Sequence, residues 1–277
     1  MGRAARRGRL DLHPRRSGLS GDGRTGDACG ARVRALSAGI RTLVWLAILA
    51  GIAFAVYAFT RSRPQDVPWT PLDLSQPVGM FTRSKIGDLR GDFAGCRALL
   101  DAAGVRYTAL PPRDGTGQCG YDDAVRLRGG GSRTIDITPD VGVSCRVATA
   151  MALWEWQVVQ PAAQKHFGQA VARIQNFGSY NCRRLYGRDT GAFSEHATAN
   201  ALDIAAFVLS DGRRISVVGD WTAGEGQDDA AKAAFLREVR DGACGVFSTV
   251  LSPDYNAAHR DHFHFDQAAR GFGGACR

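Results

Sequence analysis

None of the seven cysteines stands in a Cys-x-x-Cys pair, so the chain lacks both a thiolate zinc motif and a dithiol redox motif. No internal repeat and no second domain boundary break the sequence after its first quarter, which leaves one domain of ordinary size. An excess of charge is also missing from most of the chain. The net +8 is carried by residues 1–64, where 12 Arg face three Asp; the remaining 23 basic and 24 acidic residues nearly cancel. A nucleic-acid groove is therefore not expected. Histidine is scarce, six residues in 277, and only His13 and His166 lie outside two short windows.

The chain opens with residues 1–40, rich in Gly, Arg, Ser and Ala, read as a disordered basic tail because such a segment buries too little to offset its ordering entropy. Thr42 to Phe59 then runs eighteen residues without a charge, enough for a helix to cross a hydrocarbon core. Residues 41–60 are thus expected as one transmembrane helix, with Trp45 and Tyr57 near its ends. A cleaved signal peptide is the alternative, its apolar region usually being shorter. Arg24, Arg32, Arg34 and Arg41 outweigh Arg61 and Arg63, which keeps the N-terminus cytoplasmic and puts all that follows across the inner membrane, in the periplasm. Four prolines in residues 64–77 make 61–77 a semi-rigid linker, and 78–277 the folded domain. Six cysteines lie beyond the apolar segment, an even set that fits three disulfides on the oxidising side. Proximity in sequence favours Cys96 with Cys119.

Within the domain, residues 93–103 read as a helix stopped by Gly104 and 105–109 as a strand. Residues 145–160 form a helix with Met151, Trp154 and Val158 on its core face; Pro161 resets the chain, and a second helical piece runs to about His166. Strands follow at 171–180, at 199–209 and, after the Ser210-Asp211-Gly212 turn, at 214–218. Residues 229–240 are the best helix, and Phe263 and Phe265 alternate with His262, His264 and Asp266 at strand period. The expected fold is α+β: helices flank a small antiparallel sheet.

The two histidine windows are F-S-E-H-A-T-A-N-A-L-D (193–203) and H-R-D-H-F-H-F-D (259–266). A lone histidine on a strand is more often a hydrogen-bonded core residue than a ligand. Here His196 and Asp203 stand seven residues apart, and His262 and His264 share one strand face, with His259 three residues earlier. Catalytic zinc takes three such ligands and keeps a position for water, so the two windows together point to a divided metal site.

S-E-H-A-T-A-N-A-L-D resembles the S-x-H-x-x-G-x-A-x-D signature of D-Ala-D-Ala-type zinc peptidases, and H-R-D-H-F-H resembles the H-x-x-H-x-H end of penicillin-insensitive murein endopeptidases. Both belong to the lysostaphin, D-Ala-D-Ala peptidase and hedgehog superfamily. The nearer resemblance is to the bacterial extensin-like C-terminal domain family, through S-Y-N-C-R-R-L-Y-G-R, the first window, and V-L-S-P-D-Y-N-A-A-H-R-D-H-F-H-F-D. It covers residues 79 to the C-terminus. The resemblance implies Zn2+ held by His196, Asp203 and His264. It implies His262 as base or transition-state stabiliser with His259 assisting, Arg183 on the oxyanion or a substrate carboxylate, and Ser194 as buttress or substrate contact. Two departures stand out. The motif glycine is Ala199, and the acid/base carboxylate of the dipeptidase branch is absent, leaving a histidine, or Asp261, as the base. The implied activity is amide hydrolysis in peptidoglycan peptides by a membrane-anchored domain; the competing reading is a wall-binding or scaffolding domain without turnover, and a third is a structural zinc closed by His259.

Overall fold

The computed structural model describes residues 24–222, 224–270 and 274–277. Two compact units divide at Tyr57 and Ala58. The first contains most of helix α1 (Arg24–Ser62), whose segment Leu36–Ser62 is long and apolar enough to span a membrane, with mean hydropathy 2.2. The first 23 residues of the expected tail lie outside the described residues. From Arg24 the chain is helical, so the tail expectation fails for residues 24–40: good helix formers such as Ala and Arg continue the apolar helix towards the N-terminus.

The second unit has, in chain order, helices α2 (Thr82–Gly87) and α3 (Phe93–Ala102), then strands β1 (Val105–Ala109), β2 (Arg113–Asp114), β3 (Gly120–Tyr121), β4 (Ala124–Gly131), β5 (Asp136–Thr138) and β6 (Val143–Ser144). Helix α4 (Cys145–Trp154), a π-helical turn (Glu155–Val159) and α5 (Gln160–Phe167) come next, followed by β7 (Val171–Gly178), β8 (Ala201–Leu209) and β9 (Arg214–Ser216). Helices α6 (Val217–Asp220) and α7 (Gln227–Ala243) and strands β10 (Thr249–Leu251), β11 (Phe263–Asp266) and β12 (Ala275–Cys276) complete it.

The α+β expectation holds, but the sheet is not small. Seven strands share it, in the order β12-β10-β11-β8-β7-β5 with β9 against β8, and the β5–β7 and β10–β12 pairs are parallel. A second sheet has the order β1-β4-β6. Strand β8 is central and buried along nearly its whole length, which is why its sequence reads as an apolar run rather than an alternation. The second helical piece expected to about His166 is α5, but no break at Pro161 separates it from the helix before it. A proline ring clashes with the carbonyl four residues back, and the π turn removes that contact: Gln160 N–H donates to Glu155 O, five residues back, and the chain continues into α5.

The core lies between the large sheet and helices α4 and α7. Trp154 packs edge-on to Phe265 of β11 and against Phe207 of β8, and its Nε1 donates to Val239 O of α7 at 2.8 Å. Phe235 of α7 closes on Phe207. All four rings are fully buried.

Residues 61–77 are not a free spacer. After the last residues of α1 the segment is a run of turns, a 3-10 turn at Pro64–Asp66 and two more near Pro68 and Leu74, and Val67, Leu72 and Leu74 are buried, the two leucines in the main core. The buried Lys85 of α2 ties the segment down by donating to Pro64 O at 2.8 Å and Thr70 Oγ1 at 2.9 Å. Gln157 Nε2 donates to Gln76 O and its Oε1 accepts from Val78 N. Apolar side chains with a groove to enter outweigh the spacer composition. Leu74→Ala is accordingly expected to cost about 2–4 kcal/mol in a denaturant titration; a loss under about 0.5 kcal/mol, the size of a surface change, would restore the spacer reading.

Three disulfides form, as the even count allows, but with other partners than sequence proximity favours. They are Cys96–Cys145, Cys119–Cys182 and Cys244–Cys276. Pairing needs Cα atoms within about 7 Å, and it is the packing of α3 on α4 that brings Cys96 to Cys145.

Candidate metal centre

Strands β8 and β11 run antiparallel with Asp203 directly opposite His264, so the two side chains stand together on one face. The opposite face carries Leu202 and Phe265, which belong to the core. Keeping that arrangement along β8 needs a break in alternation. Gln175 and Asn176 of β7 oppose Ala206 and Ile204, leaving Ala205 as an extra residue, a bulge. Leu202, Ile204 and Phe207 thereby all face the helices while Asp203 faces the cleft.

His196 arrives from a different element. Ser194 caps a short 3-10 helix, Glu195–Thr198, accepting from His196 N–H, and Ala199 ends it in the left-handed region at φ 53°. A glycine favours that conformation, which gives the motif's glycine a physical reason. Alanine keeps it at a strain of about 1–2 kcal/mol, against about 0.8 kcal/mol for its buried methyl, so the departure is close to neutral.

The donor atoms of His196, Asp203 and His264 all lie within 4.8 Å of one another. His264 Nδ1 is 2.9 Å from Asp203 Oδ1 and 3.1 Å from His196 Nε2, and His196 Nε2 is 3.2 Å from Asp203 Oδ2. The remaining nitrogens settle the tautomers. His196 Nδ1 faces Ser179 O at 2.5 Å, and a carbonyl only accepts, so Nδ1 carries a proton and Nε2 turns its lone pair inward. His264 Nε2 faces the buried Asp266 carboxylate at 3.0 Å, so Nε2 donates and Nδ1 turns inward. Three acceptors then converge on one point, each histidine oriented by a further acceptor as metal ligands are. Tetrahedral zinc holds N and O ligands about 3.3 Å apart, close to these spacings. The residues fit a zinc ion.

Without a cation a proton must take its place. Burial alone would lower the His264 pKa, but hydrogen bonds to Asp203 and Asp266 outweigh it and raise the value to about 9. The Asp203 carboxyl, opposed by its own burial, is lowered well below the usual range by His196 and His264. Metal uptake must displace the His264 proton. Zinc affinity is therefore expected to rise about tenfold per pH unit between pH 6 and 8, levelling near 9, in titrations with a competing chelator. In the metal-free chain the sign reverses: the raised histidine contributes stability fully below its ordinary 6.5 and loses it as pH climbs through about 9. A flat affinity profile would contradict both.

The other expected residues surround this point. His262 Nδ1 lies 2.9 Å from Asp261 Oδ1, an acceptor, and its Nε2 lies 3.6 Å from Asp203 Oδ1. His259 Nδ1 donates to Asn256 Oδ1 at 2.8 Å; its pKa is lowered to about 4 by burial and then by His264 and His262, which keeps it neutral. Its ring sits 5.3 Å from His262 and 5.8 Å from His264. Arg183 and Ser194 line the same cleft of about 560 Å³, Ser194 buried as the cap. Arg183 raises the positive potential at His259. Asp261 orients His262 rather than facing the centre itself.

Among the cleft residues to which the sequence reading gave no role are Arg90, Arg270, Tyr186 and Tyr255. Tyr186 and Tyr255 stand inside the two flanking stretches quoted for the family resemblance but had no role there, and Arg90 and Arg270 stand in no motif. Asp266 and Ser179, the acceptors behind the two histidines, also went unassigned, although Asp266 follows His262 and His264 at the same period.

No curated protein and no solved structure matches this chain. A family model described as extensin-like protein C-terminus matches residues 94–277, a span that holds every residue of the three-donor cluster and both histidine windows. The chain belongs to the extensin-like C-terminal family.

Proposed function

We propose that this chain is a membrane-anchored, periplasmic zinc peptidase that hydrolyses amide bonds in peptidoglycan peptides. The observation that carries the reading is the convergence of His196 Nε2, Asp203 and His264 Nδ1, with each histidine's second nitrogen committed to an acceptor. Such a point suits a metal cation, and three ligands would leave a position open for chemistry. Zinc bound there would lower the pKa of a water molecule to about 7 and polarise a substrate carbonyl.

The chain's own residues supply the rest. Asp261 holds His262 by Nδ1–H, so Nε2 is free to take a proton from the attacking water and return it to the leaving amine. His259, neutral at pH 7, closes the other side of His262. Arg183 presents a fixed positive charge to the oxyanion or to a substrate carboxylate. Ser194 acts through the cap that positions His196. Among the described residues His259 stands outside the converging set, which favours an open site over a closed structural one. The apolar helix, the arginines before it and three disulfides after it support the inner-membrane, cytoplasmic-N-terminus arrangement.

Zinc analysis of the purified full chain and digestion of isolated sacculi with and without a chelator test the reading. One zinc per chain and chelator-sensitive release of peptide fragments are expected. Bound sacculi with no release would leave the wall-binding alternative.

A further inference from the structure

Beside the metal cleft lies a second cavity of about 360 Å³, walled by α2, the turn after it and the start of α4. Arg83, Arg90, Arg146 and Arg270 line it against one carboxylate, Asp88, and Arg90 and Arg270 line the metal cleft as well. Among the described residues none of these four guanidiniums has a carboxylate within ion-pair distance, whereas Arg128, Arg133, Arg213, Arg237 and Arg240 all do. Arg146 is the decisive one. It is the second residue of α4, at the positive end of the helix dipole, where a cation is disfavoured. It is 93% buried, since 7% of it is exposed; Nη1 donates to Gln267 O at 3.1 Å, and Nε has no partner. Asp123 and Glu195 act on Arg146 only from beyond ion-pair distance, so a buried guanidinium with an idle donor is left for an anion to complete. Arg83 and Arg270 are pinned by one bond each, to Cys244 O and Thr249 Oγ1, which fixes their stems and leaves other N–H groups for a ligand.

We propose that this cavity is an acidic-residue subsite: the four arginines hold a side-chain carboxylate of the peptide whose amide lies over the His196–Asp203–His264 centre. The proposal rests on the peptidase reading for what the peptide is, and its test reads binding rather than turnover. Two wall-type pentapeptides, one with its side-chain carboxylates free and one with them amidated, are titrated calorimetrically into the full chain in detergent, into Arg146→Gln and Arg90→Gln, and into His264→Ala. The free-acid peptide is expected to bind at least about tenfold tighter than the amide, the worth of one charge-assisted hydrogen bond. Both arginine variants remove that preference, and Arg90, being exposed, keeps the test valid if Arg146→Gln fails to fold. Equal binding of the two peptides, or no binding of either, overturns the subsite, as does inorganic phosphate binding at the same arginines more tightly than the acidic peptide. A preference in the unmutated chain that persists in His264→Ala upholds the subsite, and if the unmutated chain then shows neither zinc nor turnover the peptidase reading alone falls; turnover with equal binding does the reverse.

Discussion

Replacing His264 by alanine is expected to abolish stoichiometric zinc and reduce peptide release from sacculi to background. His264 is the hub of the cluster: Nδ1 meets both Asp203 and His196, and Nε2 is fixed by Asp266. Loss of an outer acceptor typically costs 10–100-fold in metal affinity, so Asp266→Asn should fall in about that range and His264→Ala beyond it, by about a hundredfold or more. Asp203→Asn preserves shape while removing the one anionic ligand, and serves as the isosteric companion should the alanine variant lose structure. Equilibrium dialysis against a competing chelator measures all three. Unchanged zinc content and peptide release in His264→Ala would remove the centre from the mechanism altogether.

The largest effect on stability is expected far from the cleft, at Glu155→Ala. Arg133 and Glu155 are 0% and 1% exposed, and Arg133 Nη2 lies 2.6 Å from Glu155 Oε2. None of Arg133 Nε, Nη1 and Nη2 has a hydrogen-bond partner of ordinary geometry, so the ion pair with Glu155 is the main support of a charge inside the core. Burial pulls the Arg133 pKa down, and Glu155 works against that shift. Glu155 Oε1 also accepts from the backbone N–H of Thr134 at 2.7 Å and of Ile135 at 3.1 Å. Removing the carboxylate strands all of these, at about 3–5 kcal/mol, read as a lower urea midpoint. Arg133→Met combined with Glu155→Gln keeps the acceptor and deletes both charges, and is expected to recover more than half of the loss. A single-variant loss under about 1 kcal/mol would mean the pair is hydrated and contributes little.

The site was more legible than the scaffold around it, for reasons visible at single residues. His262, His264 and Asp266 alternate with Phe263 and Phe265, and strand geometry alone places the two sets on opposite faces. The separation of His196 from Asp203 is likewise short enough for a local turn to span. Ala205 carries no such signal. Its bulge puts Phe207 in the core and Asp203 in the cleft, and it exists because β7 and β8 pair with a shifted register. Composition pointed the wrong way at residues 61–77: proline density describes chain stiffness but not the groove that receives Leu72 and Leu74. Arg133, Glu155 and Arg146 look like ordinary helix or loop charges in one dimension. Only their burial gives them roles.

Taken by itself, the sequence determined the apolar helix, the even set of six cysteines and the two histidine windows, because each depends on residue type and short spacing. Tertiary structure alone decided which cysteines pair, that the Pro-rich segment joins the core, that Asp203 and His264 stand opposite one another, and that Arg146 is buried beside the cleft. Those outcomes follow from contacts between residues tens of positions apart, which arise only when the seven-stranded sheet and its helices close together.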